Sequence, residues 1–200
     1  MPDFELENSC IANGFSHICG VDEAGRGPLA GPVCAAAVIL PHGCELPGLN
    51  DSKKLSPKKR DALFLPIQQQ AVAFAVAFAT VQEIEQLNIL NATFLAMSRA
   101  VQALQIPADF ALIDGNRLPQ LSIPSRAVVK GDSLSLSIAA ASILAKVSRD
   151  RLMPQLDAEY PGYGFAVHKG YGTQRHYAAL REFGACPIHR QSFLRRFYGE

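Results

Sequence analysis

Two short apolar runs, far apart in the chain, each end on an aspartate: Ile18-Cys19-Gly20-Val21 leads into Asp22, and Phe110-Ala111-Leu112-Ile113 leads into Asp114 and Gly115. Runs of this length and composition read as buried strands. In an open α/β sheet, polar residues at the carboxyl ends of parallel strands converge on one crevice, so Asp22 and Asp114 can be neighbours in space. The first run continues as Asp22-Glu23-Ala24-Gly25-Arg26-Gly27-Pro28, a turn ahead of a second strand at 33–40. Two adjacent carboxylates at the edge of a core are tolerated only if a metal, a basic partner or open water neutralises them.

The other elements follow from periodicity and punctuation. Ser56-Pro57 marks a helix start, with the serine as N-cap and the proline at the first helical position. Large side chains alternate with alanine over 72–78, which predicts a strand, buried on both sides. Helices are expected over 81–87 and 92–104, the second capped by Asn91. A short strand at 127–129 closes with Lys130-Gly131-Asp132, and a long helix begins after it. Apolar residues surround the first half of that helix, so it is central, while Lys146, Arg149, Asp150 and Arg151 should emerge into solvent. Glycine-rich turns occupy 160–172, and a helix is expected over 173–183. Strands mixed with helices, including β-α-β crossovers, predict a mixed α/β sheet flanked by helices.

At 200 residues and 48% hydrophobic, the chain suits a single domain over 1–200, with a loose N-terminus at 1–16 and a C-terminal helical extension at 152–200. The net charge of +1 does not by itself demand a polyanionic partner, but its distribution is uneven. Lys53, Lys54, Lys58, Lys59 and Arg60 crowd one segment, and Lys169, Arg175, Arg181, Arg190, Arg195 and Arg196 enrich the C-terminal region. Each run alone reads as a solvated surface. Cys10, Cys19, Cys34, Cys44 and Cys186 contain no C-x-x-C pair, which argues against a disulfide framework or a zinc site and predicts a cytoplasmic protein. No signal peptide opens the sequence, and the longest apolar run, 71–79, is too short to span a bilayer, so no membrane partner is expected.

Four acids thus stand at element ends or helix starts: Asp22, Glu23, Asp114 and Asp132. Each has a structural alternative. Asp132 can cap the helix that follows, Asp114 can form a turn with Gly115, and Glu23 can pair with Arg26. Asp22-Glu23 is the hardest to explain without a cation. Oxygen-only clusters suit Mg²⁺ or Mn²⁺, and four carboxylates balance two divalent ions of the kind that hydrolyse phosphodiesters. Adjacent strand residues face opposite sides, so Asp22 and Glu23 can serve one site only where the strand ends or distorts. Gly25-Arg26-Gly27 offers backbone amides and a guanidinium to a phosphate or a sugar hydroxyl. No Walker loop is present, which counts against a phosphotransferase, and a non-catalytic nucleic-acid binder has no use for four acids.

The stretch 20–33, Gly-Val-Asp-Glu-Ala-Gly-Arg-Gly-Pro-Leu-Ala-Gly-Pro-Val, closely resembles the signature of the ribonuclease HII family. Further matches follow in order: Asp51-Ser52-Lys53-Lys54-Leu55-Ser56, Asn91-Ala92-Thr93, Ile113-Asp114-Gly115, Lys130-Gly131-Asp132-Ser133, 139–151 and His168-Lys169-Gly170-Tyr171-Gly172-Thr173. The resemblance implies a ribonuclease H-like fold, a mixed five-stranded sheet with helices on both sides and additional C-terminal helices. It implies a monomeric endonuclease that hydrolyses RNA in RNA–DNA hybrids and incises at ribonucleotides embedded in duplex DNA. Asp22, Glu23, Asp114 and Asp132 match the family's catalytic metal ligands, for Mg²⁺ or Mn²⁺. Gly25, Arg26 and Gly27 match the loop that reads the ribose 2′-hydroxyl, and Tyr171 matches the tyrosine that packs on the neighbouring deoxyribose. Lys53, Lys54, Lys146, Arg149 and Lys169 are implied phosphate contacts. Near the C-terminus, Gln191, Leu194, Phe197 and Tyr198 fall in a spacing like that of sliding-clamp binding peptides.

Overall fold

The structure is a computed structural model and describes residues 1–199. Glu200 and the side chain of Arg196 lie outside the described residues. The chain runs α1 (Glu5–Ala12), β1 (Ile18–Ala24), β2 (Val33–Ile39), α2 (Pro57–Gln70), β3 (Ala73–Ala79), α3 (Val81–Gln102), β4 (Phe110–Asp114), β5 (Ser125–Val128), α4 (Leu136–Glu159), α5 (Phe165–His168), α6 (Gln174–Phe183) and α7 (Gln191–Tyr198). Single 3₁₀ turns at Ser52–Lys54 and Gly131–Ser133 complete it.

The five strands form one sheet in the order β3-β2-β1-β4-β5. The first three make an antiparallel meander, and β4 and β5 run parallel to β1, so the mixed sheet expected from the sequence is present. One face carries Cys19, Val21, Ala111 and Ile113 against Ile84, Ala96 and Met97 of α3. The other face lies on α4. Contact there is so close that a side chain on Gly20 would come within 2.1 Å of the Ser137 carbonyl carbon, which is why the middle of β1 carries a glycine. From Leu136 to Ala145 every residue of α4 is buried, as its all-round apolar pattern predicts.

The structure corrects four expectations. The N-terminus is not loose: α1 places Glu7, 2% exposed, at the start of α4. There its Oε1 accepts hydrogen bonds from the Ser137 amide at 3.0 Å and the Ser135 hydroxyl at 2.6 Å, a carboxylate set against the positive end of a long helix. The strand β3 is not buried on both sides but lies at the sheet edge, with Phe74, Val76 and Phe78 half-buried. The two helices after it form one kinked α3. Asn88, at φ 65°, breaks it, and its side-chain oxygen accepts from the Leu90 and Asn91 amides, so the second part is capped by Asn88 and not Asn91. Finally, Asp132 does not cap α4. Ser135 does, accepting from the Ile138 amide at 3.1 Å, while Asp132 stays in the preceding turn, where its Oδ1 accepts from the Ser133 hydroxyl at 3.4 Å.

Candidate active site

The last β1–β4 pair is Val21 with Ile113, so Asp22 and Asp114 follow it on adjacent parallel strands. Asp114 Oδ1 accepts from the Gly131 amide at 2.7 Å, which ties the end of β4 to the turn holding Asp132. Asp22 and Asp132 are 4% and 5% exposed. The alternation of β1 persists through its end: Asp22 pairs with Ala36, which packs on the α4 side, and Glu23 with Ala35, which packs on the α3 side. The two acids therefore do lie on opposite faces. Both nevertheless lie near enough to Asp114 for its charge to raise them, because β4 stops at Asp114 beside the end of β1. Glu23 and Asp114 line a common cavity of about 280 Å³ with Arg26, Thr93, Met97 and Arg117.

The electrostatics are those of an under-neutralised cluster. Burial, then Glu23 and Asp114, push the Asp22 carboxyl well above its usual range, against the Glu23 amide that donates to its Oδ1 at 2.7 Å. Glu23 is raised by burial and by Asp114, although Arg26 opposes this from 3.4 Å. Asp132 is raised by burial, Asp114 and Asp51. Burial disfavours the Lys53 ammonium, but Asp22, Asp132, Asp51 and Asp114 outweigh that and raise its pKa. Among the described residues no three histidine, cysteine or acidic side chains are already gathered around a point that could hold an ion. Hard, oxygen-only donors whose charges raise one another's pKa nevertheless fit Mg²⁺ or Mn²⁺, which take one or two carboxylates and complete their shells with water and substrate phosphate.

The Gly25-Arg26-Gly27 turn leaves β1 beside this centre, with Gly25 buried and Arg26 and Gly27 exposed. The Tyr171 ring stands against it: a side chain on Gly27 would meet Tyr171 Cε1 at 3.7 Å. Lys146 lies 5.9 Å from the centre of that ring and pairs with Asp150 at 2.8 Å. Lys54 reaches the Ser133 hydroxyl at 3.1 Å, so both lysines of the Ser52–Lys54 turn face the acids. Lys169 does not join them. Its ammonium donates to the Ala166 carbonyl at 2.7 Å, beside a cavity lined by Arg60, Asp61 and Asp150.

Three features escaped the sequence reading. Asp51, 9% exposed, accepts from the Lys53 amide at 2.8 Å and so shapes the lysine turn beside Asp132. Arg149, expected in solvent, is fully buried, as is Arg190, expected on a basic surface. Arg149 donates to the carbonyls of Pro32, Lys169 and Ala30 at 3.0, 3.0 and 3.1 Å, which joins the loop after Gly27 to the loop before Tyr171. For Arg149 a signal existed. Ile138, Ser142, Ala145, Arg149 and Met153 fall at successive helical spacings, all buried. Arg190 precedes α7 and had no such pattern. Behind it lie His168, His176 and His189, buried with their rings packed together.

Of the clamp-like spacing, Gln191 and Tyr198 are exposed, but Leu194 is fully buried with Leu29 and Leu180, and Phe197 stacks on Tyr177 at 5.5 Å. Among the described residues no helix is long and apolar enough to cross a membrane.

A family model described as ribonuclease HII matches residues 19–196. A ribonuclease HII from Dechloromonas aromatica is 64% identical over 88% of this chain and 90% of its own length. One from Desulfitobacterium hafniense is 61% identical over 94% of this chain and 72% of its own. Among solved structures, the ribonuclease H2 of Pyrococcus horikoshii superposes with a TM-score of 0.72 at 26% identity, covering 92% of this chain and all (100%) of that one. The ribonuclease HII of Archaeoglobus fulgidus, solved with PCNA, gives 0.70 at 24% identity over 88% of this chain and 94% of that one. A Bst ribonuclease HIII in complex with Mn²⁺ gives 0.65 at 20% over 88% and 64%, a likeness of fold.

Proposed function

Because the chain belongs to the ribonuclease HII family, whose members are metal-dependent ribonucleases H acting on RNA–DNA hybrids, we propose that it also incises duplex DNA on the 5′ side of single embedded ribonucleotides, leaving 5′-phosphate and 3′-hydroxyl ends. The observation that carries this reading is the buried, under-neutralised Asp22 beside Asp114, directly adjoining the exposed Arg26-Gly27 turn and Tyr171. Hydrolytic and sugar-reading groups then share one turn.

Asp22, Glu23, Asp114 and Asp132 would hold the metal. When bound, a pair of divalent ions supplies an activated water and charge stabilisation for the leaving 3′-oxygen. The division of the acids between the two faces of β1 suits two ions better than one. Gly25, Arg26 and Gly27 hold the ribose through its 2′-hydroxyl, and Tyr171, 43% exposed, offers an aromatic face to the next sugar. Lys53, Lys54 and Lys146 take backbone phosphates. Lys169 is better assigned to holding its loop, given its bond to Ala166. The setting is cytoplasmic removal of misincorporated ribonucleotides and RNA primers.

The test is a duplex carrying one ribonucleotide, incubated with Mg²⁺ or Mn²⁺ and then with chelator. Cleavage 5′ to the ribonucleotide that chelator abolishes is expected. No cleavage with either metal, or cleavage that survives excess chelator, overturns the reading. A clamp contact through the tail would rest on Tyr198 and Phe197 and would need α7 to lift Leu194 out of its pocket. Unaltered binding of the F197A/Y198A variant to a purified clamp removes it.

A further inference from the structure

The sugar-reading assignment leaves open what makes a three-residue turn rigid enough to sense one hydroxyl. Its carbonyls answer this. Arg190 Nη1 donates to the Arg26 carbonyl at 2.9 Å, and Nη2 to the carbonyls of Gly25 and Gly31, both at 2.7 Å. Its Nε donates to Gly31 again at 3.0 Å. The guanidinium sits under the turn with its fork filled by backbone oxygens. Arg149 packs beside it, so tightly that a side chain on Gly25 would come within 2.0 Å of the Arg149 Nε, and Gly25 adopts φ 97° there.

None of the described peptide bonds is cis. In a trans peptide the C=O and the following N–H point in opposite directions. With the Gly25 and Arg26 carbonyls drawn inward onto Arg190, the N–H groups of Arg26 and Gly27 are turned outward. Among the described residues neither amide has an acceptor, and both residues are exposed. Two consecutive outward amides over a buried cation make a concave donor site for an oxygen atom.

We propose that Arg190, with Arg149 in support, is a positioning residue for ribonucleotide discrimination: it fixes the turn's carbonyls inward so that the Arg26 and Gly27 amides face the ribose hydroxyl and its phosphate. The inference rests on the turn being the sugar-reading element. Arginine is required because its planar fork reaches carbonyls on two sides of the loop, which the point charge of lysine cannot do. Burial, then the Arg149 charge, lower the Arg190 pKa to about 9, so it remains charged at neutral pH. Arg149 extends the same control to Tyr171 by holding the Lys169 carbonyl within the preceding loop.

The experiment has two arms on the full chain. In the first, R190K is compared with wild type for kcat and KM on a duplex with one ribonucleotide, and for inhibition by an all-DNA duplex of the same sequence. Loss of about tenfold or more in kcat/KM with unchanged inhibition by all-DNA is expected. Wild-type kcat/KM, or an equal weakening of inhibition by all-DNA, overturns the proposal. The second arm needs no variant. In wild-type protein with ¹⁵N-labelled arginine and glycine and no divalent ion, the Arg26 and Gly27 amide resonances should shift with the ribonucleotide duplex and less with all-DNA. Equal responses to both duplexes refute the sugar-reading role of the turn itself. Unequal responses together with a normal R190K refute only the part assigned to Arg190.

Discussion

Two clusters of buried charge lie side by side in this molecule, and they are neutralised in opposite ways. Under the Gly25–Gly31 loop, Arg149 and Arg190 are fully buried, yet every guanidinium nitrogen of each donates to a backbone carbonyl. At the end of β1 and in the turn before α4, Asp22, Glu23 and Asp132 are buried or half-buried, and their pKa values rise because burial and neighbouring acids are not offset. A buried charge with its bonds complete is structural, and removing it leaves orphaned partners. A buried charge whose neighbours repel it is held ready for something that arrives from outside. Altering the first cluster should therefore cost stability, with cleavage following where the turn loses its shape, whereas altering the second should cost activity alone.

The sharpest break between them is Asp22→Asn. An amide cannot hold a cation's charge, so cleavage should fall by roughly 10³-fold or more. Stability should not fall with it. The folded-state pKa of Asp22 lies above its unfolded value, so bringing this carboxyl into the metal-free fold costs stability at neutral pH, and the neutral amide relieves this. Thermal melting without metal should give a midpoint at or above wild type. A clearly lower midpoint would place Asp22 among the structural charges.

Arg149→Ala should behave in the opposite sense. Three buried carbonyls lose their donor, and Gly25 loses the side chain packed against it, for a cost of about 3–5 kcal/mol in urea melts. A loss below about 1 kcal/mol would mean that water replaces the guanidinium and that the cluster is less closed than its bonds indicate.

Much of this contrast could be read in the chain beforehand, but only its acidic half. Acids at the ends of short apolar runs announce themselves, because a strand end has a direction and a crevice. Buried arginines do not, since what satisfies them is backbone from the glycine-rich loop, and carbonyl positions leave no mark on residue types. Arg149 was detectable through the spacing it shares with Ile138, Ser142, Ala145 and Met153, had charge not been taken to mean exposure. The same limit explains β3. Alternating Phe, Val and Ala specify a strand, but strand order, and hence an edge, depends on connections beyond the segment. The cap of the second part of α3 sits three residues before Asn91, because the break at Asn88 lets that side-chain oxygen take the Leu90 and Asn91 amides.

A smaller difference should appear with pH. The Cys186 amide donates to His189 Nδ1 at 2.9 Å, so the His189 proton is on Nε2. That proton faces His176 Nε2 at 3.0 Å, and His176 Nδ1 then donates to the Tyr171 carbonyl at 2.9 Å. Both rings are thus neutral, and a further proton breaks the ring-to-ring bond. Burial and then His176 lower the His189 pKa to about 4, and burial lowers that of His176. A folded-state pKa below the unfolded one of about 6.5 means the unfolded chain binds more protons there. This stability is complete above about pH 6.5 and lost as pH falls toward 4. The midpoint of His189→Gln should fall less between pH 7 and 5 than that of wild type; parallel falls would remove the histidines from the account.

The carboxylates respond to pH with the reverse sign, and metal separates the two contributions. Asp22, Glu23 and Asp132 have raised folded-state pKa values, so protonation relieves their repulsion and the metal-free fold gains from them as pH falls toward those values. A divalent ion gives the same relief at neutral pH. At ten times its Kd it should stabilise the chain by about 1.4 kcal/mol. That gain should shrink on acidification, because proton and metal compete for the same oxygens. It should be diminished in Asp22→Asn and persist in His189→Gln, whose cluster offers no oxygen ligand. Melting midpoints for the three proteins, with and without Mg²⁺ at pH 8 and 6, decide this. An Mg²⁺ shift of equal size in wild type and Asp22→Asn would mean that Asp22 does not hold the ion.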